Sequence, residues 1–215
     1  TCALPIYYKG EKFSVFSSGS WNQRDQFRQG ETHRVLSVSD SASTTDQVRD
    51  GNNVRSSLNG RLGMEWYPSQ SEVISWNINL NQNSGLGEHT IENSETWDTG
   101  TAYSTDRSSE EIDQGLGWDL DGSYRKEYNG NPAHFLMAQI RHSSSQSTSD
   151  EYIEEFSETG NLAVFDTNLQ DNSSLRTVAQ IDFERPLPND GKWEWGWKSN
   201  LSLKQDHFEI GRAHV

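Results

Sequence analysis

Asp119-Leu120-Asp121-Gly122 begins as a calcium-binding loop begins, with two carboxylates two residues apart followed by a glycine. The later bidentate Glu and the glycine spacing of such a loop are missing, so both carboxylates read as alternate residues on one face of a strand. His33, His89, His134, His142 and His207 are scattered without the spacing of metal ligands and read as solvated or lumen-facing side chains. Gly85-Leu86-Gly87 and Gly115-Leu116-Gly117 lack the rest of a phosphate-binding fingerprint and fit loop or strand positions. No Ser sits in a nucleophile elbow or beside a plausible His base. Asn172 and Asn200 open glycosylation-type triplets of a kind that chance produces often. Two acidic runs, Glu110-Glu111-Ile112-Asp113 and Asp150-Glu151-Tyr152-Ile153-Glu154-Glu155-Phe156, offer capture of a ligand or of divalent cations; their plainer role is to keep exposed strands from pairing with other chains. Trp193, Trp195 and Trp197 share one side of a strand and offer sugar stacking. No catalytic, cofactor-binding or metal-binding residue emerges, the ligand-binding residues stay unassigned, and the chain reads as a non-enzyme.

The elements that would carry these residues are ribbons with unlike faces. Leu58, Gly60, Leu62, Met64 and Trp66 interleave with Asn59, Arg61, Gly63 and Glu65. Ile74, Trp76, Ile78 and Leu80 interleave with Ser75, Asn77 and Asn79, and Leu116, Trp118, Leu120, Gly122 and Tyr124 with Asp119, Asp121 and Ser123. Successive side chains of a strand point to opposite faces, so each of these has one apolar and one polar side. Strands are expected at 13–27, 55–67, 72–82, 113–126, 134–146, 173–185 and 192–207, with an extra one at 32–38. Between them, tight turns at Lys9–Lys12, Pro68–Ser71, Asn129–Pro132 and Pro186–Gly191 alternate with long polar segments at 28–54, 83–112 and 147–172. Structureless connections beyond about 15 residues are uncommon in compact domains. Outer-membrane barrels, by contrast, join their strands by short periplasmic turns and long external loops. Trp66, Tyr67, Tyr124, Tyr128, Phe135, Phe183, Trp193 and Trp195 lie near the short turns, where a girdle at the lipid–water interface would put them.

Composition agrees with a thin sheet. The 215 residues are 31% hydrophobic and carry a net charge of −14, with a mean hydropathy of −0.89. So few apolar residues suit one sheet with a single apolar face better than a thick two-sided core. No run approaches the roughly 18 apolar residues of a membrane helix, whereas barrel strands need only about 10 alternating ones. The acidity argues against nucleic acid as a partner, and 8 Trp, 7 Tyr and 8 Phe argue against disorder.

The two ends stand apart. Thr1–Ile6 can be encoded ACG TGT GCT CTT CCG ATC and Ile210–Val215 ATC GGA AGA GCA CAC GTC, the reverse complement of the first string displaced by one base. This inverted pair resembles translated sequencing adapter, so 1–6 and 210–215 are expected to be assembly scars flanking a partial barrel at 7–209. Without Cys2 the chain offers no disulfide, zinc or thiol chemistry. Without Arg212 it carries 17 cations against 32 acids, a net −15. The readable stretch is then an internal piece of a longer protein.

Lipid offers the backbone no hydrogen-bond partner, so a sheet within it must close. Seven strands, an odd number with no sign of closure, imply an open arc of a larger barrel, since bacterial single-chain barrels have even counts. The polar face, with Asn59, Arg61, Glu65, Asn77, Asn79, Asp119, Asp121, Arg125, Gln139, Arg141, Gln180, Asp182, Glu194 and Lys198, is too charged for a dry interior. It suits a wide lumen holding water or a plug, as in barrels of about 22 strands. Gln180-Ile181-Asp182-Phe183-Glu184-Arg185-Pro186-Leu187, followed by Lys192-Trp193-Glu194-Trp195-Gly196-Trp197-Lys198, resembles a strand–turn–strand of the TonB-dependent receptor β-barrel. Tyr124-Arg125-Lys126 and Gly63-Met64-Glu65-Trp66-Tyr67-Pro68-Ser69 are similar to its other hairpins, and the resemblance extends over most of 7–209. It implies an all-β antiparallel up-and-down transmembrane barrel in a Gram-negative outer membrane. It also implies energised uptake of a scarce ligand (a chelated metal, a cofactor or a glycan) through a TonB system contacted elsewhere in the parent. The partners it implies are outer-membrane lipid, the TonB system and a transported small ligand. The alternatives are a non-energised barrel (porin, assembly or adhesion) and a soluble carbohydrate-binding β-sandwich.

Overall fold

Backbone pairing organises almost all of the chain. The computed structural model describes residues 2–38, 41–100, 102–157 and 161–214. Eight strands follow one another: β1 (Cys2–Lys9), β2 (Phe13–Val38), β3 (Ser41–Ser69), β4 (Glu72–Trp97), β5 (Ala102–Tyr128), β6 (Asn131–Phe156), β7 (Leu162–Pro186) and β8 (Lys192–His214). Each pairs antiparallel with its sequence neighbours in a single sheet of order β1-β2-β3-β4-β5-β6-β7-β8. The fold is therefore all-β, an up-and-down meander left open, with no pairing of β1 to β8 among the described residues. One sheet without a second layer also sets aside the β-sandwich.

The tight turns fall where Gly, Asn and Pro place them. Asn129 and Gly130 both take positive φ, 57° and 66°, as a two-residue hairpin turn twisted to match its strands requires. Asn189 and Asp190 do the same at φ 63° and 58°, and the Leu187 N–H closes that turn on the Gly191 carbonyl at 2.8 Å. Pro68, which has no N–H to give to a ladder, lies where the β3–β4 register shifts between Trp66 and Ser69.

Two expectations need correction. There are eight strands rather than seven, because β1 pairs Cys2–Lys9 against β2, and the odd count therefore gives no argument for a larger barrel. The segments 28–54, 83–112 and 147–172 are strand rather than loop. β2 to β8 run 23 to 29 residues each, and their bounds leave only 39–40, 98–101 and 157–161 between them at the far end. Their polarity hides the strand pattern: a strand with polar residues on both faces has no apolar period. Strand pairing also continues through residues 2–6 and 210–214.

Register lines the apolar residues into one band. Leu62, Ile78, Leu120, His142, Thr177 and Leu201 form one row across β3 to β8, and Trp66, Ile74, Tyr124, Ala138, Ile181 and Trp197 another. Phe13, Val15 and Trp21 extend the band onto β2. On the longer strands it covers 13–21, 58–66, 116–124, 175–183 and 193–203, which is roughly 30 Å along a strand at about 3.3 Å per residue. Beyond it, β2 to β8 continue toward their far ends with mostly polar residues on both faces and scattered apolar ones such as Phe27, Leu86, Ile153 and Phe208.

The sheet has almost no core. Ile153 is the single buried hydrophobic side chain among the described residues, while Trp193, Leu201 and Leu203 are 56%, 58% and 58% exposed. The exposed area is 15013 Å², against about 10,000 Å² for a compact protein of this mass. This sheet presents its apolar face to its surroundings rather than to a second layer.

Candidate functional site

Alternation puts the polar residues of the band region behind it, on the opposite face. There, side chains from six successive strands line one cavity of about 730 Å³: Arg61 from β3, Asn77 from β4, Asp119 and Asp121 from β5, Gln139 and Arg141 from β6, Arg176 and Gln180 from β7, and Lys198 from β8. Six strands side by side span about 24 Å at the usual spacing, so a common cavity requires the sheet to curl with its polar face inward. A second trough of about 470 Å³ continues along that face, touched by Arg24, Arg55, Asn83, Asp113 and Ser149.

Hydrogen bonds tie the trough together across strands. The Arg141 guanidinium pairs with Asp121 on β5. Arg176 Nε donates to Asn200 Oδ1 at 3.2 Å, and Asn81 Nδ2 donates to Asn59 Oδ1 at 2.5 Å. Arg61 lies over the Phe16 ring, 5.0 Å from its centroid. That ring occupies the space above Gly63, where an added Cβ would come within 2.2 Å of Phe16 Cζ and 2.4 Å of Asn77 Oδ1. Asp119 and Asp121 therefore stand two residues apart on one strand face, as alternation predicts, and not in a calcium loop. Gly85-Leu86-Gly87 and Gly115-Leu116-Gly117 lie within β4 and β5.

The histidines divide. His33 lies 2.5 Å from Asp46 on the exposed far part of the sheet. His142 is on the apolar face, its Nδ1 2.8 Å from Thr177 Oγ1 and its ring 5.1 Å from that of Trp118. His134 belongs to an aromatic cluster near the tight turns, 4.7 Å from Tyr128 and 5.8 Å from Phe183, with Trp193 5.5 Å beyond. The reading of His134 and His142 as solvated or lumen residues is thus corrected, because β6 register points their positions to the band side. Two of the expected girdle aromatics are corrected in the opposite sense. Tyr67 donates to Glu65 Oε2 at 2.5 Å on the polar face, and Phe135 lies beneath the Arg125 guanidinium there, 4.6 Å away. Among the described residues no three His, Cys, Asp or Glu side chains gather as a metal site would need.

At the tight-turn end Glu72 Oε1 accepts from Lys126 Nζ at 2.9 Å and from the Tyr124 hydroxyl at 3.2 Å. The hydrogen bond from Lys126, with that from Tyr124 behind it, holds the Glu72 carboxyl below its ordinary range. At the far end Arg212 grips Asp166 through two hydrogen bonds of 2.7 and 2.9 Å.

Register also brings together what the sequence keeps apart. The acidic runs at 110–113 and 150–156 lie side by side, Glu111 opposite Glu151 and Ile112 opposite Asp150. On β4, Glu88 faces Glu110. Residues 82–115 hold eight acids and one cation, and residues 144–174 seven acids and no cation. These two stretches together account for the whole net charge of −14, and the rest of the chain is neutral. No pattern along the sequence signals this juxtaposition; only the pairing shows it.

No protein-family model and no curated protein matches the sequence. Among solved structures, the cryo-EM membrane pore complex of pneumolysin aligns with 88% of this chain at 10% identity and a TM-score of 0.15, and the chain spans about 31% of that protein's length. At that score the likeness carries no argument.

Proposed function

We propose that this chain is wall of an outer-membrane β-barrel, with its apolar band in lipid, its polar trough toward the lumen and its strand extensions reaching into the external medium. The observation that carries this reading is the apolar band that runs across adjacent strands of a single sheet with almost no core among the described residues. In water such a face is an aggregation surface, whereas in lipid it is the required exterior. The free edges of β1 and β8 need strand partners there, since lipid cannot satisfy an open ladder. The finer assignment, an energised transporter of the TonB-dependent kind taking up a chelated metal, cofactor or glycan across a Gram-negative outer membrane, rests on the resemblance of 180–198 and its companion hairpins. A globular plug encoded in the same reading frame separates that assignment from a non-energised barrel.

Extraction tests the wall itself. The protein should aggregate in aqueous buffer and give a monodisperse β-rich species only in detergent or lipid, as followed by circular dichroism and sedimentation. A soluble monomer at high concentration without detergent overturns the proposal.

A further inference from the structure

The polar trough differs in charge from the protein around it. A chain with a net charge of −14 lines this cavity with four cations, Arg61, Arg141, Arg176 and Lys198, against two carboxylates, Asp119 and Asp121. Arg141 is matched by Asp121. The Arg176 hydrogen bond to Asn200 uses Nε and is made to a neutral amide. Lys198 has no acidic partner among the ion pairs of the described residues. Positive groups in excess, held in a concave wall, focus a field that attracts anions, and a guanidinium and an ammonium are the side chains that grip carboxylate and phosphate.

We propose that this trough is a binding surface for a small solute bearing two or more anionic groups, gripped by Arg176 and Lys198, with Arg61 lining the same cavity from β3. Lys198 lies opposite Gln180 on the neighbouring strand, four residues along from Arg176. At about 3.3 Å per residue and about 5 Å between strands their backbones stand roughly 14 Å apart. Long side chains on both can close on two groups of one ligand, with the short Val178 between them leaving room. A monoanion engages one end only. Acidic far hairpins and a basic trough divide the work: the first repel free anions of either sort, and the second retains those that arrive. The inference rests on the wall reading, because the trough then faces a lumen through which solutes pass.

The probes are citrate and pyrophosphate, with acetate as the monoanion, titrated calorimetrically into the full chain refolded in detergent. Citrate or pyrophosphate should bind, acetate should not compete, and Arg176→Gln with Lys198→Gln should weaken binding at least tenfold. The control Lys204→Gln, in the extension where Lys204 bonds Asp206, should leave it unchanged. Preference for citrate identifies carboxylates as the class, and preference for pyrophosphate identifies phosphates. A folded, detergent-soluble protein that binds neither, or binds both equally well in the double variant, overturns this inference alone. A chain that stays aggregated in every detergent overturns the wall reading, and this inference with it.

Discussion

At the scale of single residues, the polar face depends on small side chains that leave room for large ones. Gly63 has no role in a turn; its missing Cβ is the floor on which the Phe16 ring rests, and that ring in turn carries Arg61. A methyl at Gly63 would meet the ring and the Asn77 amide at once. Gly63→Ala should cost about 1–3 kcal/mol, the usual range for overpacking, read as a lower urea midpoint of the detergent-folded protein. An unchanged midpoint would show that Phe16 swings away freely. The glycine itself is visible in the sequence, but its function is not, because Phe16 reaches it only through the β2–β3 register.

At the scale of elements, the two faces make opposite demands. Ile78→Arg puts a charge in the middle of the apolar band and should cost roughly 2–4 kcal/mol of folding in lipid, whereas Asn79→Arg, one residue on, should cost little. Equal losses at the two positions in a lipid-refolding titration would remove the claim of unlike faces. The sequence made this part of the fold legible, since apolar and polar residues alternate in 58–66, 74–80 and 116–124, and the turns at Asn129-Gly130 and Pro186–Gly191 carry their own chemistry. Legibility failed where alternation stopped. Thr44, Thr45, Gln47, Asn52 and Asn53 are paired as surely as Leu62, yet with water on both sides nothing in their order separates strand from loop. The site was half legible: the polar face could be enumerated, but the curling that gathers β3 to β8 around one cavity is a property of the sheet and not of any strand.

For the whole molecule, strands of 23 to 29 residues are far longer than a bilayer needs. Less than half of each lies in the apolar band, so on the wall proposal the remainder stands in water as a paired ribbon whose one buried hydrophobic side chain among the described residues is Ile153, held by backbone hydrogen bonds and a few surface ion pairs worth little each. Local opening should therefore begin at the far ends. Brief protease treatment of the lipid-reconstituted protein should cut first near 98–101 and 157–161, leaving the band and the tight turns at 129–130 and 187–191 intact in the fragments seen by mass spectrometry. Equal early cleavage at the tight turns would contradict this division.

The charge partition gives the molecule a direction. All fourteen excess negative charges sit in two adjacent far hairpins, and the tight-turn end is neutral overall. Carrying the far end through hydrocarbon means desolvating carboxylates by the handful, while the other end crosses with short turns and few unpaired charges. If the wall proposal holds, a chain meeting a preformed vesicle from outside should enter by its tight turns and stop with its acidic hairpins on the side from which it came.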